Sequence, residues 1–149
     1  MATAIGIQNQ VRRYLREMGL IFDDRGDGSF TVGMEHANIS LTVVEFGDHG
    51  HVLRFSSFTN WELPYSTRLV EYVAEAGYVI GGVSLCPTDE GSFMVEYHYA
   101  MLANGLSFTD VVSAFNVFAG TALTLGDEIQ GRFGGELYFE PRALPAGSY

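Results

Sequence analysis

Residues 93–133 read FMVEYHYAMLANGLSFTDVVSAFNVFAGTALTLGDEIQGRF, and their apolar period changes once. From Phe93 to Met101, Phe93, Val95, Tyr97, Tyr99 and Met101 alternate with Met94, Glu96, His98 and Ala100. A period of two puts each set on one face of a strand. Asn104 and Gly105 then turn the chain. Ser107 is a good helix N-cap, and Asp110 three residues on completes an approximate capping box. Beyond it Val111, Phe115, Phe118, Ala122, Leu125, Ile129 and Phe133 recur at three- and four-residue spacing, the inward stripe of a long helix. Gly120 and Gly126 interrupt that helix at about 1 kcal/mol each relative to alanine. Close packing against a sheet or a partner is their simplest use. Gly134 and Gly135 stop it.

The same reading extends upstream. Tyr78–Cys86 is predicted as a strand and Pro87–Gly91 as the turn that follows. Gly81–Gly82 inside that strand reads as a bulge, or as a flat place where a partner chain lies down. Pro64 suits a first helical turn, with Leu69, Val73 and Ala76 on one face and Gly77 as the stop. Before it, three alternating segments around Phe30–Met34, Ile39–Val43 and Leu53–Phe55 predict an antiparallel meander, with a hairpin at Gly47–Gly50. Leu20–Phe22 is a candidate short strand, and Asp23–Ser29 a turn. Ile7, Val11, Tyr14, Leu15 and Met18 form the stripe of a first helix, closed by Gly19. The expected fold is therefore α+β: a five-stranded, mainly antiparallel sheet with helices packed on it, in the order α-β-β-β-α-β-β-α. Residues 1–135 make one domain and 136–149 a tail, with Leu137, Tyr138 and Phe139 able to dock locally.

A chain of 149 residues that is 47% hydrophobic can bury a stable single core. Its formal net charge is −10. All eight basic residues are arginine, so a Schiff-base lysine and the lysine of a P-loop are excluded. Phosphate backbones are repelled by this charge, which argues against a nucleic-acid partner. Arg12, Arg13 and Arg16 read as a solvated helix face. Met1–Gln10 lacks the pattern of a secretory signal, and no apolar run approaches the roughly 20 residues that span a bilayer. Cys86 is the sole cysteine, so no internal disulfide forms. The expected location is the cytoplasm, with no membrane partner.

No stretch carries a catalytic or cofactor motif. His49 and His51 flank Gly50 in a hairpin without a third ligand and read as exposed turn histidines. Asp23, Asp24 and Asp27 lack the closing glutamate of a calcium loop. His98 reads as a strand histidine and Cys86 as a half-buried structural thiol. Neither metal nor cofactor is expected. The surplus is aromatic: Phe55, Phe58, Trp61, Tyr65, Tyr78, Phe93, Tyr97 and Tyr99. A sheet covered on one face cannot hide aromatics on both, so part of this set is a candidate interaction patch. Tyr97, Tyr99 and Met101 on one strand face, with Gly81 and Gly82, are its candidate residues, and the three on the strand are expected to be all core or all patch.

The order of elements, LANGLSFTDVVSAFNVF at Leu102–Phe118 and LPYSTRLVEYVAEAG at Leu63–Gly77 resemble the YbjN family of bacterial sensory transduction regulators. The likeness covers roughly residues 5 to 135. That family is similar in fold to the class I chaperones of type III secretion, small acidic homodimers that hold client segments extended on apolar patches. The resemblance implies a non-catalytic protein- or peptide-binding module, chaperone-like or regulatory and homodimeric. The alternative is a small-molecule-binding domain or enzyme using Glu96, His98 or Cys86.

Overall fold

The protein is described by a computed structural model that covers residues 3–138. The expected tail beyond Tyr138, Phe139 included, lies outside the described residues.

Helix α1 (Ala4–Glu17) starts where the Thr3 hydroxyl accepts the Gly6 N–H at 3.0 Å. It ends before Gly19, whose φ of 73° makes the left-handed exit. Strands β1 (Phe22–Asp24), β2 (Ser29–Met34), β3 (Ala37–Glu45) and β4 (His51–Leu63) follow as a meander. Helix α2 (Thr67–Glu75) leads to β5 (Gly82–Pro87) and β6 (Phe93–Leu102). Helix α3 (Phe108–Phe133) lies over the sheet, and β7 (Glu136–Leu137) returns to it. The sheet thus has seven strands, not five, with lateral order β1-β2-β3-β4-β6-β5 and every pairing antiparallel. The order α-β-β-β-β-α-β-β-α-β replaces the expected one. The additions, β1 and β7, are three and two residues long, too short to show a period of two.

Three segments differ from the sequence reading. Strand β4 runs 13 residues, far past Phe55. It is bulged: its register against β6 shifts between Phe58 and Asn60 and again between Asn60 and Leu63, and Glu62 sits at φ 54°. That irregularity hides a continuous alternation. β6 lines one edge of β4, while β3 and then β7 share the other. In the predicted strand Tyr78–Cys86, only Gly82 onward pairs with β6. Gly81 lies just outside the paired strand at φ 80° and is not a bulge within it. Helix α2 begins at Thr67, not near Pro64, because the Ser66 hydroxyl accepts the Leu69 N–H at 3.0 Å.

The core lies between one face of the sheet and the helices. Ile7, Val11 and Leu15 of α1, and Val111, Phe115, Phe118 and Ile129 of α3, are buried with Phe30, Ile39, Leu41, Leu53, Phe55, Val95 and Tyr97 of the sheet. By length and composition α3 is long and apolar enough to cross a membrane, although no continuous apolar run marks it in the sequence. Eight of its residues are buried against this core. The two helix glycines separate: a Cβ on Gly126 would lie 3.1 Å from the Leu137 side chain, whereas one on Gly120 meets nothing within 4 Å. Gly126 therefore admits the sheet, and Asn60 uses the approach, donating to the Gly126 carbonyl at 2.9 Å. The opposite sheet face carries a polar row beside the Phe58 and Tyr138 rings. Register sets Thr31, Ser40, Ser56 and His98 in one row across four strands.

Candidate protein-binding site

Tyr97, Tyr99 and Met101 leave β6 on the helix side but do not share one fate. Tyr97 is fully buried and stacks on Phe118, with ring centroids 4.5 Å apart and planes 20° apart. Tyr99 and Met101 are only half-buried. Beyond the Tyr97–Phe118 stack, the first turns of α3 leave an open groove of about 310 Å³ over them. Ile80, Ala114 and Val117 add to its apolar lining, and Asp110 and Ser113 to its polar lining. Val117 is 38% exposed although apolar. The three are therefore not all core or all patch, because Phe118 of α3 covers Tyr97 while Tyr99 and Met101 stay open beside Ala114 and Val117.

The same stretch of β6 is also an open edge. β5 pairs with β6 only from Phe93 to His98. On the other side, β4 continues to Leu102, and the Ala103 N–H donates to the His51 carbonyl at 2.8 Å. Backbone groups of successive strand residues point to opposite edges. Ala103, Met101 and Tyr99 thus address β4, and Ala100 and Leu102 point outward. Among the described residues no strand pairs with that outer side. Ala100 is exposed and Leu102 is 65% exposed. An unpaired edge with apolar neighbours is a template for another extended chain.

Gly81 and Gly82 stand where β5 leaves this edge. A Cβ on Gly81 would collide with the His98 carbonyl and lie 3.1 Å from the Tyr97 ring. The Tyr97 hydroxyl donates to the Ile80 carbonyl, and the Tyr78 ring packs on Tyr97 with centroids 5.6 Å apart. Burial pushes the Tyr97 phenol above its ordinary value, so it stays protonated and a donor at neutral pH. Of the candidate patch, then, Tyr99 and Met101 reach the groove, Tyr97 supports its floor, and the glycines set its end. Ile80, Ala114 and Val117 were missed because the periodicity of one segment says nothing about the gap beside it. The outward Ala100 was legible only as an alternate on the other face of its strand.

The residues of the enzymatic alternative gather on the opposite, polar face. Ser84 Oγ lies 3.0 Å from His98 Nε2. Glu96 meets Arg54 at 3.4 Å. Burial, and then the Glu96 charge, push the Cys86 thiol up, which disfavours a thiolate nucleophile. Among the described residues no three His, Cys, Asp or Glu side chains are grouped to hold a metal ion. The turn carboxylates are engaged internally: Asp24 with Arg12 at 2.7 Å, Asp23 with Arg25 at 2.8 Å, and Asp27 with Ser29.

No protein-family model matches the sequence, and no curated protein does. Among solved structures, the fold is similar to the crystal structure of YbjN from E. coli, with a TM-score of 0.69 at 10% identity, covering 88% of this chain and 96% of that one. It is also similar to the type III secretion chaperone SycH of Yersinia pestis, solved in complex with a stable fragment of YscM2, with a TM-score of 0.52 at 14% identity, covering 80% of this chain and 98% of that one. The fold of this chain is thus YbjN-like and type III secretion chaperone-like, in keeping with the resemblance seen in the sequence.

Proposed function

We propose that the protein is a non-catalytic, cytoplasmic protein-binding module, chaperone-like or regulatory, that takes an extended segment of a client along the free edge of β6. One observation carries this reading: the outward backbone groups of Ala100 and Leu102 lie beside the groove over Tyr99 and Met101. Edge pairing supplies affinity with little regard to sequence, and pockets for alternate side chains supply selection. A net charge of −10, with Asp110 lining the groove, favours clients with basic residues flanking the apolar ones. The SycH neighbour was solved with a protein fragment, which is in keeping with a protein partner for this fold. The resemblance also leads us to propose a homodimer, for which light scattering should give twice the 16.4 kDa chain mass.

The test is Ala100→Pro. Proline removes the outward N–H and is tolerated on an edge, so the ladder to β4 survives. Affinity capture from native lysate with mass spectrometry should recover partners with the wild type and lose them with the variant. Equal recovery by a folded variant would refute edge pairing. The Ser84–His98 contact supports the second reading, an enzyme or small-molecule site on the polar face with Glu96 and Cys86 nearby. Turnover of a small molecule that vanishes in Ser84→Ala and His98→Ala would establish it in place of the first.

A further inference from the structure

In the β5–β6 register, Gly82 faces His98 and Val83 faces Tyr97. Carried upstream, the same register would set Ile80 opposite Ala100 and Tyr78 opposite Leu102, on the edge that stands open. The chain does not follow that path. At Gly81 the backbone takes φ 80° and folds the preceding residues over Tyr97, where Ile80 accepts the Tyr97 hydroxyl. Val79, left outside, is 87% exposed, the highest value among the large apolar side chains described.

We infer that Tyr78–Gly81 is a strap with two positions: folded over Tyr97 as here, or zipped onto the outer edge of β6 as an extension of β5. In the zipped position the alternation of β5 carries Val79 to the helix side opposite Met101, because Val83 and Leu85 of β5 face Tyr97 and Val95 there. Each position has its own contacts. Zipping gives up the Tyr97–Ile80 hydrogen bond, the Tyr78–Tyr97 ring contact and the place of Ile80 in the groove. It gains backbone pairing for Ala100 and Leu102 and burial for Val79. Two alternative packings about one glycine hinge are the elements of a switch. The consequence for clients rests on the reading above: a zipped strap occupies the client's edge, so strap and client exclude each other.

The test uses the full chain and amide hydrogen exchange. Valine at position 81 cannot hold φ 80° cheaply, and its Cβ meets the His98 carbonyl, so Gly81→Val favours the extended path. The Ala100 and Leu102 amides should exchange fast in the wild type and about tenfold or more slowly in the variant, with Val95 unchanged. Wild-type exchange at both positions in a variant that keeps Val95 protected overturns the strap. Tyr97→Phe is the second variant, for use if Gly81→Val fails to fold. It removes only the hydroxyl that holds Ile80, so slower exchange at the same two amides supports the strap, and unchanged or faster exchange overturns it. Client exclusion is read separately, with a synthetic peptide of alternating valine and threonine capped by lysines. A strap closed nine-tenths of the time weakens its binding about tenfold. Protection of the edge without weaker peptide binding keeps the strap and removes the edge as the client site. Weaker peptide binding without protection removes the strap and keeps the site.

Discussion

Phe118→Ala reports on the contact that separates core from groove. Phe118 is fully buried, stacked on Tyr97 and 5.6 Å from the ring of Phe55. Truncating a buried phenylalanine costs about 3–5 kcal/mol, transfer and cavity included. The upper half of that range applies here for two reasons. The walls of the cavity are themselves buried rings, Phe55 and Tyr97, which have little room to collapse inward. The lost stack also removes an aromatic pairing worth about 0.5–1.5 kcal/mol beyond area. The expected loss, roughly 4–5 kcal/mol, is a large part of the 5–15 kcal/mol that a domain of this kind possesses. Urea unfolding followed by far-UV circular dichroism measures it as a fall in the midpoint at constant slope. Phe118→Leu should lose much less, because it keeps most of the volume. A loss below about 1 kcal/mol for Phe118→Ala would mean that Phe118 faces solvent, and the division of the β6 face into floor and groove would fall with it.

Two further outcomes are expected. Gly120→Ala should stabilise the protein by about 1 kcal/mol, since alanine favours the helix and its Cβ meets nothing within 4 Å. A loss in the purified protein would reveal a contact on that face, and the same urea midpoint measures it. The Asp24 carboxyl is held below its ordinary value of 3.8, mainly by the Arg12 guanidinium that ties β1 to α1, against an opposing effect of burial. A depressed acid stabilises the fold above pH 3.8 and loses that contribution as the pH falls through its folded value. The pair is partly exposed, so Asp24→Asn should cost under about 1 kcal/mol at pH 7. The difference between variant and wild type should shrink below pH 3.8 in acid titrations of stability; a constant difference would refute the assignment.

The sequence by itself determined the layers. Alternation at Phe30–Val32, Ile39–Leu41, Leu53–Phe55 and Val95–Tyr97 marks the buried sheet face. The three- and four-residue spacing from Val111 to Ile129 marks the helix that covers it. Both signals are local, because each element must present one apolar side to one core. Ser107, Gly19 and Gly134 mark ends for the same reason, since their chemistry acts within a turn or two of the chain. Only the tertiary structure decided what lies beyond those periods. The bulge in β4 at Asn60–Leu63 breaks the alternation that would have shown its length. β7 is a strand only because β4 offers an edge past the end of β3. Gly81 reads as a strand residue until the chain is seen to fold over Tyr97 there. The groove over Tyr99 and Met101, and the free edge at Ala100 and Leu102, are gaps between elements: they depend on where α3 crosses and where β5 starts. Each side chain's period encodes the face it shows, but not how far its neighbour extends to cover it.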